Sequence, residues 1–153
     1  MITISVNLKG VEPLLKRLAP SERGRRMRNA MEESVGFLRQ EVVKGTPVDT
    51  GTAAGSITTA ILGTPLDITG KVFSPLEYVS VLEEGRRPGS TMPPTEPIAR
   101  WLSRKGSDPR LAFVVARAIG RRGTKGHKMF ARAIERGRTQ VRGIFMRHLT
   151  GGL

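Results

Sequence analysis

Residue types that often catalyse reactions or bind metals are few and scattered in this sequence. The two histidines, His127 and His148, are far apart and lack the spacing of a ligand pair, and no cysteine is present to act as a nucleophile or zinc ligand. The acidic pairs Glu32–Glu33 and Glu83–Glu84 fall in helical patterns, where adjacent side chains do not converge on one substrate. We therefore expect no catalytic residue, no bound metal and no cofactor.

One basic segment, 120–128, has the glycines of a phosphate-binding loop. It lacks the Gly-Lys-Ser/Thr sequence and the preceding strand that such loops require. We interpret it as a solvated basic loop of mobile composition. Its candidate contacts to DNA or to an acidic partner are Arg121, Arg122, Lys125 and Lys128.

Positive charge is the strongest compositional feature. Lys and Arg number 26 against 13 Asp and Glu, which gives a formal net charge of +13. Such an excess predicts an anionic partner: nucleic acid, a membrane surface or an acidic protein face. Most of the excess is arginine, which forms bidentate pairs with carboxylate or phosphate. Charge alone does not select among these partners, and nucleic acid is the usual first expectation for a basic domain.

The length of 153 residues fits one domain, 1–153. Only 38% of the residues are apolar and few are aromatic, so the predicted core is lean and part of its order could come from neighbouring chains. No apolar run reaches membrane-spanning length, and the alternating residues 1–4 do not form the core of a signal peptide. We expect synthesis in the cytoplasm and no membrane association.

The first half of the chain predicts a strand, a short helix and a long helix. Alternation of apolar and polar residues from Ile2 to Leu8 indicates a half-buried strand. A short helical pattern spans 11–18, and a long helix follows with Ser21 as the N-cap. The buried stripe of the long helix consists of Met27, Met31, Val35, Leu38 and Val42.

Four arginines crowd the first turns of this long helix, where the helix dipole favours anions rather than cations. Their placement suggests a contact with an external anion, although a solvated face explains it equally well. These candidate contacts to DNA or an acidic partner are Arg23, Arg25, Arg26 and Arg28.

An elaborate turn, Thr46–Gly51, follows the long helix. Pro47 cannot continue a helix and disfavours helical geometry at the preceding residue. Asp49, Thr50 and Gly51 are typical turn residues. Two strand patterns at 56–62 and 67–73 then predict a hairpin, interrupted at Gly63 to Pro65.

The second half predicts helices separated by Gly- and Pro-rich loops. A helical piece begins near Tyr78 and ends at Gly85, and a loop spans 86–95. A helix at 96–105 presents Ile98, Trp101 and Leu102 on one face. The next begins at Asp108–Pro109, ends at Gly120 and buries Leu111, Val114, Val115, Ala118 and Ile119. The last helix, 129–149, buries Phe130, Ile134, Val141, Ile144 or Phe145, and Leu149, and exposes Arg132, Arg136, Arg138 and Arg142.

Four motifs in a fixed order resemble those of the neck or tail-completion proteins of long-tailed bacteriophages. They are the Thr-Pro-Val-Asp-Thr-Gly turn at 46–51 with Ser-Ile at 56–57, Tyr-Val at 78–79 leading to Glu-Glu-Gly at 83–85, Met-Pro-Pro at 92–94, and Lys-Met-Phe at 128–130. The resemblance covers roughly 11–147. Val79 stands where the family usually has alanine, and Lys128–Phe130 replaces the usual Arg-Pro-Phe. The longer segment 86–127 resembles insertions found in relatives.

The resemblance implies an α+β fold: a small antiparallel sheet packed against a long N-terminal and a long C-terminal helix, with a helical insertion at about 86–127. It also implies a structural virion protein, assembled in the host cytoplasm, that forms a ring at the head–tail junction. The ring would be a homo-oligomer, six-fold like the tail, in contact with tail-terminator and head-closure or connector proteins and with packaged DNA passing through it. The alternative, from charge alone, is a basic nucleic-acid-binding protein that acts as a soluble monomer or dimer.

Under this resemblance, the motif residues are expected near subunit or partner boundaries, although each could equally support the fold of the monomer. A lean domain with an open sheet edge can complete itself against identical neighbours. The candidate interface residues are Asp49, Thr50, Gly51, Tyr78, Glu83, Arg86, Arg87, Met92 and Phe130.

Overall fold

The computed structural model describes residues 1–7, 9–64 and 67–151, so the predicted positions of Leu8 and Pro65 lie outside the described residues. It has two compact units, Met1–Val79 with Lys128–Leu153, and Ser80–His127. The elements are β1 (Ile2–Asn7), α1 (Glu12–Lys16), α2 (Pro20–Gly45), α3 (Thr52–Gly55), β2 (Thr58–Thr64), β3 (Asp67–Ser74), α4 (Glu77–Glu84), β4 (Gly85–Arg86), α5 (Thr95–Arg104), a 3₁₀ turn (Pro109–Leu111), α6 (Ala112–Arg122), β5 (Thr124–Lys125) and α7 (Met129–Thr150).

The predicted α+β class is confirmed in the first unit, where a small antiparallel sheet packs against the long helices α2 and α7. The strand order is β1-β3-β2, and Ile4 and Thr59 both lie opposite Val72. Ile4 is buried, as the alternation of β1 predicted, and Ile68 and Val72 of β3 are buried as well. At Gly70 the absence of a side chain makes room for Met31 and Val35 of α2. The sheet therefore lies unusually close to the helix at this point.

Helices α2 and α7 pack antiparallel. The guanidinium of Arg26 near the start of α2 reaches the carbonyl of His148 at the end of α7, at 3.2 Å. At the opposite ends, Gly45 lies beside Met129. The predicted stripe of α2 is confirmed, because all five of its residues are buried. The predicted N-cap at Ser21 is wrong: the helix begins at Pro20, whose ring sets a helical φ without a side-chain cap.

The buried face of α7 differs from the prediction at its centre. Phe130, Ile144 and Leu149 are buried as expected, but Ile134 is 40% exposed. Ala133 and Gly137 occupy the contact with α2 instead. A side chain at Gly137 would meet Leu38, so small residues set the helix separation and leave no room for a branched one.

Two glycines of α7 should respond oppositely to alanine. Gly143→Ala should raise the free energy of unfolding by about 1 kcal/mol, because the added Cβ meets nothing within 4 Å and alanine favours the helix. Gly137→Ala should lower it by about 1 to 3 kcal/mol, because its Cβ would lie 2.6 Å from Leu38 Cδ2. Urea unfolding followed by circular dichroism measures both. Equal effects at the two positions would contradict the close helix contact.

In the second unit, the predicted buried face of α6 is wrong for two residues, because Leu111 and Val114 are exposed. The other predicted residues, Val115, Ala118 and Ile119, are half-buried, and the fully buried ones are Ala112, Ala116 and Gly120. A Cβ on Gly120 would lie 3.2 Å from the carbonyl oxygen of Ser90. Small residues at four-residue spacing thus form the centre of the contact side. On α5, Leu102 is buried as predicted, but Trp101 is largely exposed.

A short antiparallel ribbon, β4 with β5, ties the two ends of the second unit together. The predicted solvated loop at 120–128 is therefore wrong for its first half, because α6 continues to Arg122 and Thr124–Lys125 pairs with Gly85–Arg86. The ribbon depends on glycine, since a side chain at Gly85 would collide with the backbone oxygen of Thr124. Gly85 has φ +82°, as expected for a residue that closes α4.

Candidate interaction surfaces

The Thr46–Gly51 turn has an anchored half and an exposed half. Thr46 is buried, and its hydroxyl donates to the carbonyl of Val42 at 2.7 Å. Val48 is 73% exposed, and Asp49 and Thr50 are exposed beside it. Gly51, with φ +79°, then leads into α3, a turn of helix that the sequence patterns did not reveal. The motif thus holds the end of α2 while it presents an apolar and acidic tip.

The Ser-Ile motif acts inside the fold. Ser56 lies before β2, which begins at Thr58 rather than at the predicted position 56. Its hydroxyl is 2.8 Å from that of the buried Ser74. The guanidinium Nε of Arg39 donates to the carbonyl of Ile57 at 2.8 Å. These contacts connect the ends of β2 and β3 with α2, so this part of the family-like pattern has a structural role.

Two predicted interface residues are corrected by their burial. Phe130 and Glu83 are 2% and 4% exposed, so neither side chain is on a surface that a partner could contact directly. Phe130 belongs to the buried face of α7 because it follows the start of that helix directly. Glu83 precedes the ribbon, and its carbonyl oxygen leaves no space for a side chain at Gly126.

Other predicted interface residues do lie at the surface. Tyr78 and Met92 are exposed despite their size, and Arg87 is exposed as well. Arg86 is half-buried and donates from Nη1 to the carbonyl of Thr91 at 3.2 Å. It therefore holds the loop that follows β4, in addition to any external contact.

The arginines at the start of α2 divide into internal and exposed groups. Arg26 binds the carbonyl of His148, and Nε of Arg23 donates to the carbonyl of Leu18 at 3.1 Å. Both side chains therefore already hold contacts within the unit, and Nη2 of Arg26 also pairs with Glu22 at 3.1 Å. Contact of these two arginines with an external anion stays a prediction. Arg25 and Arg28 remain exposed and form only peripheral ion pairs with acidic residues of the same helix.

An ion-pair cluster that sequence reasoning missed joins α2 to the end of α7. The Glu33 carboxylate accepts a hydrogen bond from Arg147, and its Oε2 lies 2.7 Å from Nε2 of His148. The hydrogen bond from Arg147, followed by that from His148, lowers the pKa of the Glu33 carboxyl below its usual value. The sequence separation of more than a hundred residues hid this cluster, since only helix packing brings the two segments together.

The remaining predicted cations are exposed. Arg121, Arg122 and Lys125 belong to the second unit, at the end of α6 and on β5. Lys128 precedes α7 in the first unit, with a positive φ of 54°.

Both edge strands of the three-stranded sheet lack the usual protection against pairing. Neither β1 nor β2 contains a charged residue or a proline, although natural edge strands commonly carry them to prevent association. A groove of about 560 Å³ runs between α2 and β2, with Val35 and Gly36 on the helix side and Thr59 and Ile61 on the strand side. Glu32 and Arg39 also line this groove.

The second unit has an apolar groove of about 470 Å³ beside α5 and α6. Trp101, Val115 and Ile119 line it, and Lys125 and His127 lie at its margin. Within residues 1–7, 9–64 and 67–151, no group of three or more His, Cys, Asp or Glu side chains could hold a metal ion.

No helix in the described part of the chain combines the length and apolar composition needed to cross a bilayer. Comparisons of the chain with models of protein families, with curated proteins and with solved structures found no match.

Proposed function

We propose that this protein is a structural component of the bacteriophage neck, which assembles as a ring at the head–tail junction and helps join the completed tail to the DNA-filled head. The ordered motifs suggest this assignment. The main observation in support of a ring is that the two edge strands of the sheet, β1 and β2, contain no charged residue and no proline. The low apolar content of the chain also favours association with neighbouring copies.

The positions of these edges support the proposal of a ring. They lie on opposite sides of β3, so β1 of one copy can face β2 of the next. Such head-to-tail contacts close into rings when the rotation between copies allows it. A continuous ring would satisfy the backbone groups of both edges without a change in the sheet of each copy.

The exposed arginines support contacts with other virion components. Arg25, Arg28, Arg121 and Arg122 can pair with acidic surfaces of tail-terminator or head-closure proteins. Some can also face packaged DNA that passes through the ring. Strong phosphate binding along the channel would slow exit of the DNA, which favours protein contacts for most of them.

The direct test removes the protein from the virus. Electron microscopy of particles assembled without it should show separate heads and tails. Normal infectious particles would overturn the proposal.

A second test addresses the ring itself. The variant Thr58→Lys with Leu62→Lys places two charges on β2, where they should prevent edge pairing while the monomer stays folded. Thr139→Lys on the exposed side of α7 is the matched control. Native mass spectrometry, with and without candidate neck partners, should show rings for the wild type and the control and monomers for the edge variant. Rings that survive both edge charges would contradict the proposed pairing.

Nucleic-acid binding by a free monomer or dimer is the second candidate, and the exposed arginines of α7 favour it. Arg132, Arg136, Arg138 and Arg142 are all exposed along one helix. This candidate requires that the isolated chain bind duplex DNA with an affinity that falls steeply as salt increases. The absence of binding at low salt would remove it and would leave the neck proposal intact.

A further inference from the structure

The outer side of α6 carries an exposed stripe of apolar and arginine side chains. Successive residues of an α-helix are rotated by about 100°, so positions three, four and seven apart share one face. The residues of this face, from the preceding 3₁₀ turn to the end of α6, are called the α6 stripe. They are Arg110, Phe113, Val114, Arg117 and Arg121.

The apolar residues of the α6 stripe are unusually open to solvent. Phe113 is 55% exposed and Val114 is 62% exposed, and Leu111 beside them is 49% exposed. Single exposed apolar residues are ordinary, but a contiguous group bordered by polar residues marks an interaction site. The small residues Ala112 and Ala116 already provide the contact of α6 within its unit. The larger side chains therefore do not serve the packing of this helix.

The charge of the α6 stripe has one sign. The segment 109–122 contains no acidic residue. Among the residues that the structure describes, Arg110, Arg117 and Arg121 form no ion pair, and the nearby carboxylate of Asp108 accepts from the backbone N–H of Arg110 at 2.9 Å. Three exposed guanidinium groups thus lie beside an apolar centre, and each can donate hydrogen bonds to a carboxylate.

We propose that the α6 stripe binds an acidic surface of a different protein, which inserts an apolar side chain between Phe113 and Val114. Carboxylates of that partner pair with the three arginines at the rim. An apolar centre within a charged rim is the usual arrangement of a protein interface, and aromatic and arginine side chains are its most frequent energetic centres.

A second copy of this chain does not fit the site. In a symmetric contact, Arg117 of one copy would approach the same stripe of the other, and like charges would meet. Nucleic acid fits less well, because phosphates would pair with the arginines but would leave Val114 and Leu111 against a polar backbone. An acidic protein satisfies both the charged and the apolar groups. The inference is independent of the proposed ring.

The test uses the full chain and a defined probe, a synthetic amphipathic helix whose single face carries leucine flanked by glutamate. The control probes are a peptide of the same composition in scrambled order, and a duplex oligonucleotide. The protein variants are Phe113→Ser and Arg117→Glu. Arg17→Glu, just after α1, is the matched control, because it makes the same change of charge at an exposed position of the other unit. Fluorescence anisotropy gives the dissociation constants, and circular dichroism verifies the fold of each variant.

We expect saturable binding of the amphipathic probe. Phe113→Ser and Arg117→Glu should each weaken it by about tenfold or more, and Arg17→Glu should change it by less than about twofold. The scrambled peptide should bind much more weakly. Three results would each overturn the proposal: no saturable binding, equal binding of the two peptides, or binding of the duplex that depends on both Phe113 and Arg117 as strongly as binding of the probe does.

Discussion

The Gly85→Ala substitution should separate β4 from β5 and destabilise the Ser80–His127 unit by about 3 kcal/mol or more. Gly85 adopts φ +82°, which is unfavourable for alanine, and the added Cβ would collide with the backbone oxygen of Thr124. It would also lie 2.6 Å from the backbone nitrogen of Gly126. Backbone atoms cannot turn away as a flexible side chain can, so relief of the collision requires that the ribbon open.

The single tryptophan makes this effect measurable in one unit. Trp101 lies in the second unit, so its fluorescence during urea unfolding reports on that part of the chain. Gly89→Ala is the matched control, because Gly89 has a similar φ of +76° but a Cβ there would meet nothing within 4 Å. In the control, the free energy of unfolding should fall by only about 1 kcal/mol, because alanine at a positive φ strains the backbone but meets no other atoms. A loss at Gly85 no larger than that at Gly89 would contradict the close approach of the strands.

The Gly70→Val substitution should destabilise the first unit by about 3 kcal/mol. An added Cβ would collide with Val35 and would lie 2.5 Å from the sulfur of Met31, and both side chains are buried. Valine also adds two methyl groups between β3 and α2. The sheet must therefore move away from the helix, which breaks contacts along the whole length of β3.

Two further variants separate this effect from a general intolerance of β3 to substitution. Lys71→Val puts the same side chain on the neighbouring residue, which points to the opposite face of the sheet, and should change stability by less than about 1 kcal/mol. Combining Gly70→Val with Met31→Ala should cost less than the sum of the two single changes, because the smaller residue makes room for valine. Urea unfolding monitored by circular dichroism gives the four values. Strict additivity would show that Gly70 and Met31 do not share this space.

The long periodic elements could be predicted from the sequence. The stripe of α2 repeats at helical spacing over about four turns with large apolar residues, and burial follows that pattern at every predicted position. The alternation in β1 predicted the buried side of the strand. The exposed arginines of α7 also lie on the predicted side.

The faces of α6 and the centre of α7 could not be predicted in this way. Periodicity assigns burial to large apolar residues, but Val114 and Ile134 are exposed while Ala116 and Gly137 are buried. Small residues occupy these contacts because segments distant in sequence approach closely: the backbone of Ser90 approaches Gly120, and the side chain of Leu38 approaches Gly137. For the same reason, periodicity did not predict the ribbon at Gly85 or the ion pair between Glu33 and Arg147, because both join segments that are distant in sequence.

The candidate surfaces likewise divide into features that the sequence revealed and features that only the tertiary structure revealed. Residue types and spacing identified the Thr46–Gly51 turn and the arginine groups, because turn chemistry and charge are local properties. Only tertiary structure decided that Arg26 satisfies the carbonyl of His148 and that Phe130 is buried.

The amino-acid sequence alone determined which segments form long helices and strands, where the chain turns, and that its surface is strongly basic. These properties depend on neighbouring residues and on composition. The tertiary structure decided which small residues permit close contact, which strands form the sheet edges and which arginines remain exposed. Each of these depends on the distance between segments that are remote in sequence, and no local pattern encodes that distance.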